Sequence, residues 1–91
     1  MLTALSVLSV FARDFPLNQE AKITGKLSID KGSVFINFSD GENALVDGKP
    51  ATMAALKKQV GNVVTLHGVM NKMDGTGRTK YGTELIFGLD D

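Results

Sequence analysis

From Glu20 onward, apolar and polar residues of the chain alternate with a period of two. Ile23, Gly25, Leu27 and Ile29 fall on one side, and Lys22, Thr24, Lys26 and Ser28 on the other. This pattern predicts a strand over Ala21–Ile29 with one core face and one wet, basic face. Asp30-Lys31-Gly32 reads as a turn, after which Ser33–Ser39 alternates again, with Val34, Ile36 and Phe38 inward and Phe35 and Asn37 on the outer face. A turn at Asp40-Gly41-Glu42-Asn43, a short strand over Ala44–Val46 and a turn at Asp47-Gly48-Lys49-Pro50 follow. The period then changes: Met53, Leu56 and Val60 are spaced to line one face of a helix over Thr52–Val60. Thr52 is its expected N-cap, Lys57 and Lys58 lie near its C-terminus, and Gly61 is its expected C′ residue. Two further β-rich runs, Val63–Met70 and Tyr81–Phe87, flank a polar loop from Asn71 to Lys80.

Three strands, a helix and two strands in a chain of 91 residues match the element order of a five-stranded OB-fold Greek-key barrel with its helix between strands 3 and 4. Gly25 and Gly68 fit that expectation, because a small closed sheet needs bends where a side chain would crowd. The barrel is assigned to residues 20–91. Residues 1–19 form a separate N-terminal element, since Pro16 interrupts any regular structure that crosses it. Thr3, Ser6, Ser9 and Arg13 recur there at near-helical spacing, whereas the valines favour a strand. Leu2, Leu5, Val7, Leu8, Val10 and Phe11 carry more apolar surface than a small barrel buries unaided. This element is therefore expected either to cover the barrel or to mediate assembly into a homo-oligomer.

The last third of the chain resembles a known family. A short helix and a glycine (Leu56 to Gly61) lead into a strand with an internal glycine (Val64 to Gly68). A basic loop (Lys72 to Lys80) and a strand opening with Tyr81, Thr83 and Glu84 follow. This hairpin is similar to the final two strands of the OB-fold single-stranded-DNA-binding proteins. The resemblance implies sequence-nonspecific single-strand binding in phage, plasmid or bacterial DNA replication. The chain departs from the family in being shorter, lacking tryptophan and carrying no long acidic tail beyond Asp90-Asp91.

Composition narrows the chemistry. Without cysteine, disulfides and thiolate metal sites are excluded, and ten basic residues against ten acidic ones give a formal net charge of zero. A nucleic-acid site must then be a local basic face. His67 is the sole histidine and shares a face with Thr65 and Val69. Alone it makes neither a typical zinc site nor a catalytic constellation, so no metal, cofactor or enzymatic activity is expected. Gly75-Thr76-Gly77-Arg78-Thr79-Lys80 lacks P-loop spacing and precedes a strand rather than a helix. The sequon Asn37-Phe38-Ser39 falls in a predicted strand and is set aside. The apolar N-terminus has no basic residue before Arg13 and is too short to span a bilayer, which predicts a cytoplasmic chain with no membrane partner.

Single-strand binding needs aromatic rings for stacking and cations for phosphates. The residues that meet this need are Lys22, Lys26, Phe35 and Asn37 on the first two strands, with Lys72, Arg78, Lys80 and Tyr81 on the last hairpin. Tyr81 shares the parity of Leu85 and Phe87, so it reaches a ligand only through a bulge at Gly82 or from the barrel mouth. The expected partner is single-stranded DNA, with RNA not distinguished from it. The alternative is an OB-fold protein-interaction module, a small subunit or adaptor, which the neutral charge and the apolar N-terminus favour.

Overall fold

The computed structural model describes residues 17–73 and 85–90. The elements are β1 (Glu20–Asp30), β2 (Ser33–Asn37), β3 (Asn43–Asp47), α1 (Pro50–Lys57), β4 (Val63–Lys72) and β5 (Leu85–Leu89). The strands close into a barrel in the order β1-β2-β3-β5-β4. All neighbours are antiparallel except β3 and β5, which run parallel, Leu45 opposite Ile86 and Val46 opposite Phe87. This is the OB-fold Greek-key barrel, with its helix between the third and fourth strands.

Closure depends on β1, which serves two neighbours. Its first half pairs with β4, from Glu20↔Val69 to Lys26↔Val63, and its second half with β2, from Lys26↔Asn37 to Asp30↔Ser33. The strand must coil sharply where the partners change, and Gly25 sits there. A Cβ at Gly25 would run into the Asn37 carbonyl oxygen and lie 2.8 Å from Ile36 Cγ1. Gly68 meets the same constraint on β4, where a Cβ would overlap the Gly88 carbonyl oxygen. Both glycines are thus required by close backbone approach.

The inward faces of the strands meet in one core of Ile23, Leu27, Val34, Ile36, Phe38, Ala44, Val46, Leu66, Met70 and Phe87, with Met53 and Leu56 of α1 packed against it. The β1–β2 hairpin turns through Lys31 and Gly32, both at positive φ (53° and 84°), as a two-residue turn of the primed type requires. Ile29, expected inward, is 45% exposed at the hairpin end of β1, although Val34 opposite it is buried.

The helix differs from its sequence expectation at both ends. It starts at Pro50, with Lys49 rather than Thr52 at the N-cap and no side-chain cap bond. Proline's fixed φ suits the first helical position, where an N–H would have no intrahelical partner. The helix ends at Lys57, and the next turn tightens: Lys58 N–H donates to Ala55 O and Gln59 N–H to Leu56 O, each three residues back. Val60 is therefore exposed instead of lining the inner face. Gly61, at φ 96°, redirects the chain, and the segment docks on β1 through Gly61 N–H to Leu27 O (2.9 Å) and Leu27 N–H to Asn62 O (3.0 Å).

Candidate nucleic-acid interface

The outward parity of β1 places Lys22, Thr24, Lys26 and Ser28 on one face. Across the ladders, Lys22 faces His67, Thr24 faces Thr65 and Lys26 faces both Val63 and Asn37. Thr24 and Thr65 join their hydroxyls at 2.8 Å, and Asn37 Nδ2 donates to the Lys26 carbonyl and to Ser28 Oγ, each at 2.9 Å. Lys22 and Lys26 are exposed, four strand residues or about 13 Å apart, and no carboxylate among the described residues pairs with either. Val63, beside Lys26, is 69% exposed. Together they form a polar row with two cations unpaired among the described residues and an apolar edge.

Of the other expected site residues, Lys72 lies at the far end of β4, opposite Leu85, and shares the inward parity of Met70. It is exposed at the barrel end and does not join the face that holds Lys22 and Lys26. Arg78, Lys80 and Tyr81 lie outside the described residues. Phe35 is on the outer face by register, opposite Ser28 and Leu45, yet it is only 6% exposed. Base stacking on it requires that its cover be removed.

Phe35 does not stand alone. Leu45, beside it on β3, is 8% exposed, and neither residue belongs to the barrel core cluster. Ile86 of β5, half-buried and outward by parity, pairs with Leu45. Three neighbouring strands thus carry an apolar row on the outside of the barrel. Leu45 and Ile86 had a legible signal in the triplets Val34-Phe35-Ile36, Ala44-Leu45-Val46 and Leu85-Ile86-Phe87. An unbroken apolar run, in place of alternation, marks a strand covered on both faces.

One group of metal-ligand-type side chains converges among the described residues: Glu20, His67 and Asp90, all exposed. His67 Nδ1 lies 2.9 Å from Asp90 Oδ2, and Nε2 lies 3.5 Å from Glu20 Oε1. Each ring nitrogen already has its own carboxylate. The Asp90 N–H also donates to the His67 carbonyl at 3.0 Å, so the group ties the start of β1 and the end of β5 to the middle of β4. The His67 cluster is therefore best described as a clasp between strands.

No family model, curated protein or solved structure matches the chain.

Proposed function

We propose that this chain is a single-strand nucleic-acid-binding module that acts in the cytoplasm. The observation that carries this reading is the outer row Lys22-Thr24-Lys26 with Asn37, whose two ammonium groups have no acidic partner among the described residues. The lysines follow the phosphates, the bonded Thr24–Thr65 and Asn37–Ser28 pairs hold the row between them in place, and Phe35 adds a stacking surface once exposed. Arg78, Lys80 and Tyr81 extend the interface from the last hairpin, whereas Lys72, at the barrel end, lies off the lysine face. DNA is the expected substrate, in a replication setting.

The test is a titration of labelled oligothymidylate at several salt concentrations, with oligouridylate in parallel to determine DNA against RNA preference. With about three phosphates neutralised, log affinity falls against log salt with a slope near −2, since each contributes roughly −0.7 on a single strand. Lys26→Ala lowers that slope by somewhat less than one unit. Absence of binding at low salt rejects the reading.

A second reading, a protein-interaction module, is favoured by the apolar row Phe35-Leu45-Ile86, which is chemistry suited to a protein surface rather than to phosphates. A module of that kind shows no salt-dependent oligonucleotide binding and no effect of Lys26→Ala.

A further inference from the structure

The row Phe35-Leu45-Ile86 faces away from the barrel core, and its first two members are nevertheless buried. Polar residues bracket it: Lys26, Asn37 and Asn43 on one side, Asp30, Ser33 and Asp47 on the other. A strip so narrow, crossing the strands at one level, is the footprint of a single segment laid across them. We propose that the occupant is the chain's own N-terminal segment, residues 1–12, docked in cis through its leucines, valines and Phe11. This is independent of whether the barrel binds nucleic acid.

The register argues for this occupant. Asn18 N–H donates to Met70 O at 2.8 Å, one residue out of the Glu20↔Val69 register and with Asn18 at positive φ (63°), so the chain turns against the end of β4, next to Asn71. Asn71 faces Ile86, Ile86 faces Leu45, and Leu45 faces Phe35. The chain therefore enters the barrel at the level of the row and at one end of it. From Asn18 to Phe35 is four strand spacings, about 19 Å around the wall. Sixteen residues precede Leu17. They span about 24 Å as a helix and more when extended, so either form reaches. Tethering holds such a segment near its own barrel at an effective concentration in the millimolar range, which favours it over the same segment of a second copy in dilute solution. Leu2, Leu5, Leu8 and Phe11 repeat every third residue, and Thr3, Ser6 and Ser9 repeat likewise one position on, so an apolar edge can face the row while a polar edge faces water.

The chain has no cysteine, so Ser6→Cys provides a single attachment point for a nitroxide on the polar edge, with Ser9→Cys as a second, independent probe. In the full-length labelled protein, the amide and methyl signals of Phe35, Leu45 and Ile86 are expected to broaden, while Thr65 and Val63 across the barrel stay sharp. Mixing isotope-labelled unmodified chain with unlabelled nitroxide-bearing chain separates cis from trans. Sharp signals in the mixture support the proposal. Broadening of the row that arises only in the mixture means that a second copy supplies the segment, and row signals left sharp by both probes mean that residues 1–12 do not lie there. Either result overturns it.

Discussion

Individual positions differ in how far they tolerate change, and the two strand glycines are the least tolerant. At Gly68 the obstacle to a side chain is backbone, the Gly88 carbonyl, which cannot swing aside as a flexible side chain would. Gly68→Ala should destabilise the barrel by about 1 to 3 kcal/mol or more, the range for overpacking a well-filled site. Gly88→Ala is the control, because its nearest neighbour would be Val69 O at 3.9 Å, an ordinary contact. Urea denaturation of the pair checks this, and equal midpoints would mean that close backbone approach at Gly68 does not govern closure. Phe35 illustrates the opposite problem. Parity places its ring on the outer face, but exposure depends on what covers it, and strand alternation carries no such information. Its near-complete burial changes what Phe35→Ala reports: a fall in stability accompanies any loss of stacking, so that variant alone is a poor test of binding.

Among the elements, β4 has the most to satisfy, since it pairs with β1 and β5, contributes Leu66 and Met70 to the core, and carries His67 at the clasp. These contributions are unequal. The clasp groups are about half exposed, where ion pairs contribute about 0 to 1 kcal/mol, so His67→Ala or Asp90→Asn should cost no more than about 1 kcal/mol. Met70 is fully buried, and Met70→Ala should cost about 2 to 5 kcal/mol through lost transfer energy and the cavity left behind. Thermal unfolding of the three variants checks the ranking. A clasp variant as damaging as Met70→Ala would mean that the imidazole does more than join strand ends. The helix teaches a related lesson: its packing residues Met53 and Leu56 follow from spacing, whereas its boundaries were set by Pro50 at the first position and by the docking of Gly61 and Asn62 on Leu27, a contact distant in sequence.

At the scale of the molecule, the Lys26–Asn37 end of the polar row lies one level from the apolar row of Phe35, Leu45 and Ile86 on the same wall. A strand of nucleic acid that follows the lysines and stacks on Phe35 must displace whatever lies over the second row. Saturating oligothymidylate should therefore relieve the broadening of Leu45 and Ile86 in the nitroxide-labelled Ser6→Cys protein. Broadening that persists at saturation would confine the nucleic acid to the lysine face and remove Phe35 from the interface. The lysine face by itself, with two cations about 13 Å apart, is compatible with the modest salt dependence expected of a chain with zero net charge.

Much of the architecture is legible in the sequence alone. Local signals suffice where the physics is local: alternation assigns the core faces of β1 and β2, turn chemistry places Lys31-Gly32 and Gly41, and the change of period locates the helix between the third and fourth strands. Lys22 and Lys26 share a face of β1 by parity, and the β1–β2 register sets Asn37 opposite Lys26. Lys72, expected on the last hairpin as an extension of the same groove, lies at the other end of the barrel by the β4 register, which spacing does not give. The clasp of Glu20, His67 and Asp90 joins residues from three distant parts of the chain, so no spacing could announce it. The apolar outer row likewise exists only once β2, β3 and β5 are set side by side, through a parallel pairing of β3 with β5 that no hairpin signal encodes. Which residues face inward is a property of each strand and can be read from it; which outward residues become neighbours is a property of the closed sheet.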